Sequence, residues 1–185
     1  MSEPKYKLTF VNDGPPCAEK DVAAFEKSIV AKLPPDYRDF LLLHNGAQPV
    51  LDGLEYDSCI VRVQWQGKPA GAGGKAASVG HFLRLRAVSP EIPDIRETLA
   101  DFAGRIPSET IPIADHPGGG LFLLALRGSD AGAVFFWSRK FRSESLEDTA
   151  RSYPNVGFVA PSFTAFLEAM EPEPADWEQW ERDNA

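Results

Sequence analysis

Leu33-Pro34-Pro35-Asp36-Tyr37-Arg38-Asp39-Phe40-Leu41-Leu42-Leu43-His44-Asn45-Gly46 decides how this chain is read, because it specifies one helix and marks both of its ends. Pro34 pushes Leu33 toward extended geometry. Pro35 suits a first helical turn, where a missing N–H leaves nothing unpaired. Asp36 and Asp39 lie near the positive end of the helix dipole, and Gly46 after Asn45 supplies a left-handed closing residue. The helix is expected to begin at Pro34 or Pro35 and to end near His44. Tyr37, Phe40, Leu41 and His44 recur at i, i+3, i+4 and i+7, and Leu42 and Leu43 widen the apolar face, which predicts cover on more than one side. Just upstream, Val22, Phe25 and Ile29 share one face of an amphipathic helix over Ala18 to Ala31. The two make a short-looped helical pair.

The ordered, gapless series Leu33, Pro34, Asp36, Tyr37, Phe40, Leu41, Asn45 and Gly46 closely resembles the signature helix of the SUKH superfamily, also called the Smi/Knr-like family. Ala47 stands where the family's usual second glycine would be. A second block resembles the same family: Ile111 to Ala114, the glycine-rich turn Asp115 to Gly120, and Val134-Phe135-Phe136-Trp137. A third is the capped helix of Ser162, Phe163, Phe166, Leu167 and Met170. The resemblance covers most of residues 18 to 170. It gives the motif residues, with Gly120 and Trp137, a structural role.

With 185 residues, 43% of them hydrophobic and 25% charged, the chain is expected to form one core without staples. The reading is a single domain over residues 1–170 and an acidic tail over 171–185. No apolar run approaches the roughly 20 residues of a membrane span, and the N-terminus lacks a secretory apolar segment, so a cytoplasmic location is expected. Cys17 and Cys59 are then read as free thiols. The net charge of −8 argues against nucleic acid as a partner, since phosphate neutralisation needs Lys and Arg. Residues 168–185 hold seven acids against one base, and so six of the eight net negative charges. The body before them is nearly neutral.

Tyr6, Leu8 and Phe10 alternate with polar residues as in an edge strand. Beyond Gly46 the pattern predicts strands at Val50 to Leu51, Leu54 to Tyr56, Cys59 to Gln66 and Phe82 to Val88. Gly67 to Gly80 reads as a flexible hairpin tip or a disordered loop. Its Gly-Gly-Lys fails as a phosphate loop, with Pro69 in place of the first glycine and Ala76 where Ser or Thr is needed, and no helix follows to complete a dinucleotide motif. Ser89-Pro90 is expected to open a helix carrying Ile92, Ile95, Leu99 and Phe102 until Gly104 stops it. Leu121 to Leu126 and Ala133 to Trp137 form a hairpin apolar on both faces, predicted to lie centrally in the sheet.

Metal sites and nucleophilic triads draw on His and Cys, and His44, His81 and His116 are far apart in sequence, with no zinc-type spacing and no Gly-x-Ser-x-Gly. No metal, cofactor or catalytic set is expected, and the chain is read as a non-enzyme. His44 fits the C-terminal dipole of its helix. Asp115 and His116, at a turn followed by three glycines, are candidate contact residues, through backbone N–H groups able to meet an anion or through a tight strand entry. In the tail, Asp176, Trp177 and Trp180 follow the breakers Pro172 and Pro174. The two indoles share a helical face and are read either as docked on the body or as a contact for a basic partner.

The expected architecture is α+β, a mostly antiparallel mixed sheet flanked by helices from the N- and C-terminal parts of the chain. Family resemblance implies a bacterial immunity protein that neutralises a cognate toxin, often a nuclease, by stoichiometric occlusion. The alternative is a regulatory scaffold or adaptor with a cellular protein partner. A third possibility is a small-ligand module using the Asp115 to Gly120 turn. The partner surface is expected on an open sheet face, that turn and the tail, bound by a basic toxin domain and by neither nucleic acid nor membrane.

Overall fold

The computed structural model describes residues 7–12, 14–52, 59–65, 74–86, 93–139 and 148–183. Expectations for Tyr6, for Leu54 to Tyr56 and for Ser89, Pro90 and Ile92 fall outside them.

Helix α1 (Glu19–Ser28) buries Val22 and Phe25 and closes on Ile29. Helix α2 (Pro35–Leu43) starts after Pro34 and stops at His44, as its end marks dictate. Its buried stripe is Tyr37, Phe40 and Leu41, but Leu43 is 68% exposed, so the helix is covered on one side only. That corrects the expectation of a broader cover. The His44 ring closes the helix by tilting against Phe10 and Phe40, with centroids 4.6 and 5.4 Å away.

The last two motif residues have separate reasons. Asn45 is buried, donating from Nδ2 to the carbonyls of Pro15 and Leu85 at 3.1 and 3.0 Å and accepting the Leu85 N–H at 2.8 Å. An isosteric apolar residue would strip the Leu85 N–H of its side-chain partner and leave the Leu85 carbonyl with the Cys17 thiol alone, at 3.6 Å. Gly46 has φ +76°, and a Cβ there would lie 2.1 Å from the Arg84 side chain.

Strands β1 (Leu8–Val11) and β2 (Gln48–Leu51) pair antiparallel. β3 (Cys59–Arg62) pairs with β4 (Ala76–Val79) on one side and, over two residues, with β9 (Glu171–Pro172) on the other. Ala76 to Val79 is therefore strand where a loop was expected, because Ala77 and Val79 alternate inward onto the core. The main sheet runs β5 (Thr110–Asp115), β6 (Leu121–Ala125), β7 (Val134–Trp137) and β8 (Val156–Ala160), all antiparallel, and the β6–β7 hairpin is central as predicted. A bridge between Gln64 and Phe158 joins the end of β3 to β8. There Gly157 has no room for a side chain: a Cβ would sit 2.3 Å from Val63.

Residues 80–86 meet β5 through a single bridge, Phe82 to Ala114, and the start of α3 through another, Arg84 to Asp94, and not as the continuous strand expected from Phe82. Arg86 turns to φ 65° and ends the run. Helix α3 (Ile95–Asp101) starts at Asp94, whose carboxylate caps the Arg96 N–H at 2.7 Å. Helix α4 (Phe163–Glu168) is capped by Ser162 as read from the sequence, and α5 (Trp177–Asp183) follows.

Both faces of the main sheet are buried. Phe122, Leu124, Val134 and Phe136 face the larger cluster, with Val22 and Phe25 of α1, Tyr37, Phe40 and Leu41 of α2, and Phe163 and Phe166 of α4. Leu121, Leu123, Ala125, Phe135 and Trp137 face a second cluster, covered by Ile106, Ala150 and Tyr153. The Trp137 indole N–H donates to the Arg105 carbonyl at 3.0 Å. The expected open sheet face is thus closed, and each large apolar side chain so buried contributes about 1.5–3 kcal/mol.

A candidate functional site at the end of the central sheet

A cavity of about 550 Å³ opens where β5 ends, between the Asp115–Leu121 turn, Gly80–His81 and the C-terminal end of α3. A β-bulge aims the turn. Pro112 pairs with Leu123 and Ala114 with Phe122, so Ile113 is an extra residue. Ile113 and Ala114 both bury in the larger cluster, and Asp115, opposite Leu121, emerges on the other face. Without the bulge the alternation of the strand would point Asp115 into the core.

Asp115 is half-buried. Its Oδ1 accepts the His81 N–H at 2.8 Å, and Asp115 and its neighbours exchange two backbone bonds with Gly80 and His81. Gly80 permits this approach, since a Cβ there would fall 2.0 Å from Asp115 Oδ1. The second carboxylate oxygen has no partner among the described residues. Asp101, exposed at the last position of α3, makes no hydrogen bond or ion pair with a described residue. Phe102, Leu83, Val79 and Leu121 supply apolar wall. The site therefore combines two carboxylates with apolar surface, an arrangement complementary to a cation.

Two of the glycine N–H groups of the turn are already engaged within it. The Gly118 N–H donates to His116 Nδ1 at 2.7 Å and the Gly119 N–H to the His116 carbonyl at 2.8 Å. His116 thus builds the turn, and its ring packs 5.2 Å from that of Phe136. Of the glycines, Gly119 takes the positive φ, at 80°, whereas Gly120 is required by crowding: a Cβ there would lie 2.7 Å from the Phe136 ring.

The tail residues form a separate place on the surface. Asp176 caps α5 by accepting the Gln179 N–H at 2.9 Å. Trp177 and Trp180 are half-buried with rings 5.6 Å apart, and the Trp177 indole donates to Glu173. Trp180 sits 5.5 Å from the Arg62 guanidinium, which also pairs with Glu171 at 3.2 Å. Trp180 thus meets β3 through Arg62, and Trp177 packs on Trp180.

The remaining chemistry is inert. Burial pushes the thiols of Cys17 and Cys59 up to about 11, so both are protonated at neutral pH. Among the described residues no three His, Cys, Asp or Glu side chains are placed to hold a metal, and no helix is long and apolar enough to cross a membrane.

A model of the SMI1/KNR4 family (SUKH-1) matches residues 16–169, which takes in both helices of the pair, the main sheet and α4. The chain belongs to that family. Within SUKH-1 it is similar to the SPbeta prophage-derived uncharacterized protein YokK of Bacillus subtilis (strain 168), at 26% identity over 160 residues, 82% of this chain and 73% of the relative. The SUKH-1 match ends before β9 and α5, so the docked tail lies beyond the matched body.

Sequence reasoning found Asp115 and His116 but missed His81, Asp101 and Phe102, which the fold brings to them. Only an exposed acid at the end of a short helix marked Asp101, and such acids are common on any surface.

Proposed function

We propose that this protein is an immunity-type binding protein that neutralises a cognate toxin, a nuclease with a basic cleft, by stoichiometric occlusion in the cytoplasm and without catalysis of its own. The family includes immunity proteins, and its members bind protein partners. The observation that carries the reading is the placement of charge on this family body. The body is nearly neutral, while six of the eight net negative charges fall in residues 168–185. In that segment Trp180 of α5 packs on Arg62, Glu178 is 90% exposed in its side chain, and Asp176 is exposed. A surface with that polarity steers toward a positively charged cleft and opposes binding to nucleic acid itself. In this reading residues 171–185 are an acidic appendage to a domain spanning 1–170, and Asp115, His116, Asp176, Trp177 and Trp180 mark the two contact areas.

The test is copurification from the source organism, followed by reconstitution with the recovered toxin domain and a growth assay in which the two are coexpressed. An equimolar complex with a basic domain, weakened by salt and protecting the cell, is the expected result. Recovery of housekeeping proteins alone would favour the scaffold or adaptor role. Removing residues 171–185 separates recognition from packing: weaker toxin binding assigns recognition to the tail, and unchanged binding with a lower melting temperature assigns it to packing.

A further inference from the structure

We infer that the cavity at the end of β5 receives one basic side chain, an arginine or lysine, from the protein partner, clamped between Asp101 and Asp115. This rests on the proposed protein-binding function and gives that function an address.

Three observations carry it. The cavity, about 550 Å³, lies within the roughly 300–1,000 Å³ of ligand sites, so it accommodates a long side chain with part of the backbone that bears it. Two carboxylates from different elements meet at it, Asp101 from the end of α3 and Asp115 from the end of β5, and neither is neutralised by a described residue. Asp115 spends one oxygen on the His81 N–H and keeps the other. Two cations stand at the edge of the cavity without lining it: Arg105 lies over the rings of Phe102 and Trp137, and the Arg139 side chain abuts Gly119. The apolar walls match the aliphatic stem of Arg or Lys, and the carboxylates match its head. An acidic ligand would meet two like charges there, and a purely apolar one would leave both carboxylates desolvated.

The bulge explains why the site is rigid. Asp115 is held by its own side-chain bond, two backbone bonds and the crowding of Gly80, so its position is fixed before a partner arrives.

The test titrates the full-length protein with acetyl-Gly-Arg-Gly-amide and with the same peptide carrying citrulline, which keeps the shape of arginine and lacks its charge. Backbone amide NMR shifts are the readout. The expected result is that the arginine peptide moves the amides of His81, Gly119 and Leu121 while the citrulline peptide does not. Asp101→Asn should weaken the response roughly fivefold to tenfold, Asp115→Asn should act in the same direction, and Glu97→Gln, an exposed acid on α3 outside the cavity, should leave it unchanged. Asp101 bonds to no described residue, so its variant tests the site without a folding penalty. Equal shifts with both peptides, or a response insensitive to Asp101→Asn, would overturn the assignment. Failure here is distinguishable from failure of the immunity reading. A toxin complex unaffected by both variants removes the cavity and leaves immunity in place. Charge-selective peptide binding with no toxin recovered from cells does the reverse.

Discussion

Asp36 and Thr164, 128 positions apart in the chain, are joined by two hydrogen bonds: Asp36 Oδ2 accepts the Thr164 N–H at 2.9 Å and its hydroxyl at 3.1 Å. The acid of the signature helix thereby serves the first turn of α4 while Oδ1 accepts the Tyr37 N–H of its own helix at 2.9 Å. Asp36→Ala should lower stability by about 1–2 kcal/mol in urea denaturation, since it strips partners from two helix starts. Asp36→Asn, which retains an acceptor oxygen, should recover part of that loss.

Asn45→Leu should be more costly, at roughly 3 kcal/mol, because the buried Leu85 N–H loses its acceptor, the Leu85 carbonyl is left with the Cys17 thiol, and the Pro15 carbonyl loses its donor. Thermal melts that differ from wild type by less than about 1 kcal/mol would refute the structural role given to this residue.

Tyr37 behaves oppositely although it belongs to the same motif. Its ring is fully buried against Phe163 at 5.0 Å, but its hydroxyl finds no hydrogen-bond partner among the described residues. Tyr37→Phe should therefore be neutral or stabilising by up to about 1 kcal/mol, while Tyr37→Ala should cost about 3–5 kcal/mol. The motif residue is an aromatic requirement more than a tyrosine requirement.

Val30 holds φ 52° with 82% of its surface exposed, closing α1 through bonds from Val30 N–H to Lys27 and from Ala31 N–H to Glu26. A β-branched residue is ill suited to that left-handed position. Val30→Gly should raise stability by about 1 kcal/mol, read as a shift in urea midpoint, because glycine adopts the same turn without the clash of Cβ.

Acid should weaken the cover of the second cluster. Asp148 accepts the Ser108 N–H and the Tyr153 hydroxyl, each at 3.0 Å, and the bonds from Ser108 hold its carboxyl below the usual aspartate value. Hydrogen bonding from Arg151 holds Asp130 down in the same way. Folded values below unfolded ones mean stability that is present above about pH 4 and lost as pH falls through the folded values. Asp130→Asn with Asp148→Asn should flatten the acid limb of a stability–pH curve between about pH 5 and 2.

The helices were legible because their marks are local: Pro34, Pro35 and Gly46 around α2, and Ser162 ahead of α4. The central hairpin was legible for a related reason, since Leu121 to Ala125 and Val134 to Trp137 are apolar on both faces. The cover of the second sheet face was not, because Ile106, Ala150 and Tyr153 are scattered in loops with no period to betray them. The cavity depends on contacts of that same non-local kind. Asp115 stood out beside its glycines, but its neighbour Asp101 ends a separate helix and reaches the cavity only through the fold. The strand at Ala76 to Val79 was hidden by small residues that gain their character only from burial.

The extra residue at Ile113 makes the stretch from Ile111 to His116 sensitive to parity. Replacing a side chain there alters one contact. Straightening the strand with all its residues kept would exchange inside for outside from that point on and turn the Asp115 carboxylate toward the phenylalanines, whereas deleting Ile113 would straighten it with Asp115 still opposite Leu121 on the outer face. Among relatives, a homologue one residue shorter in this segment is thus expected to keep the acid at this place and to lose only the bulge.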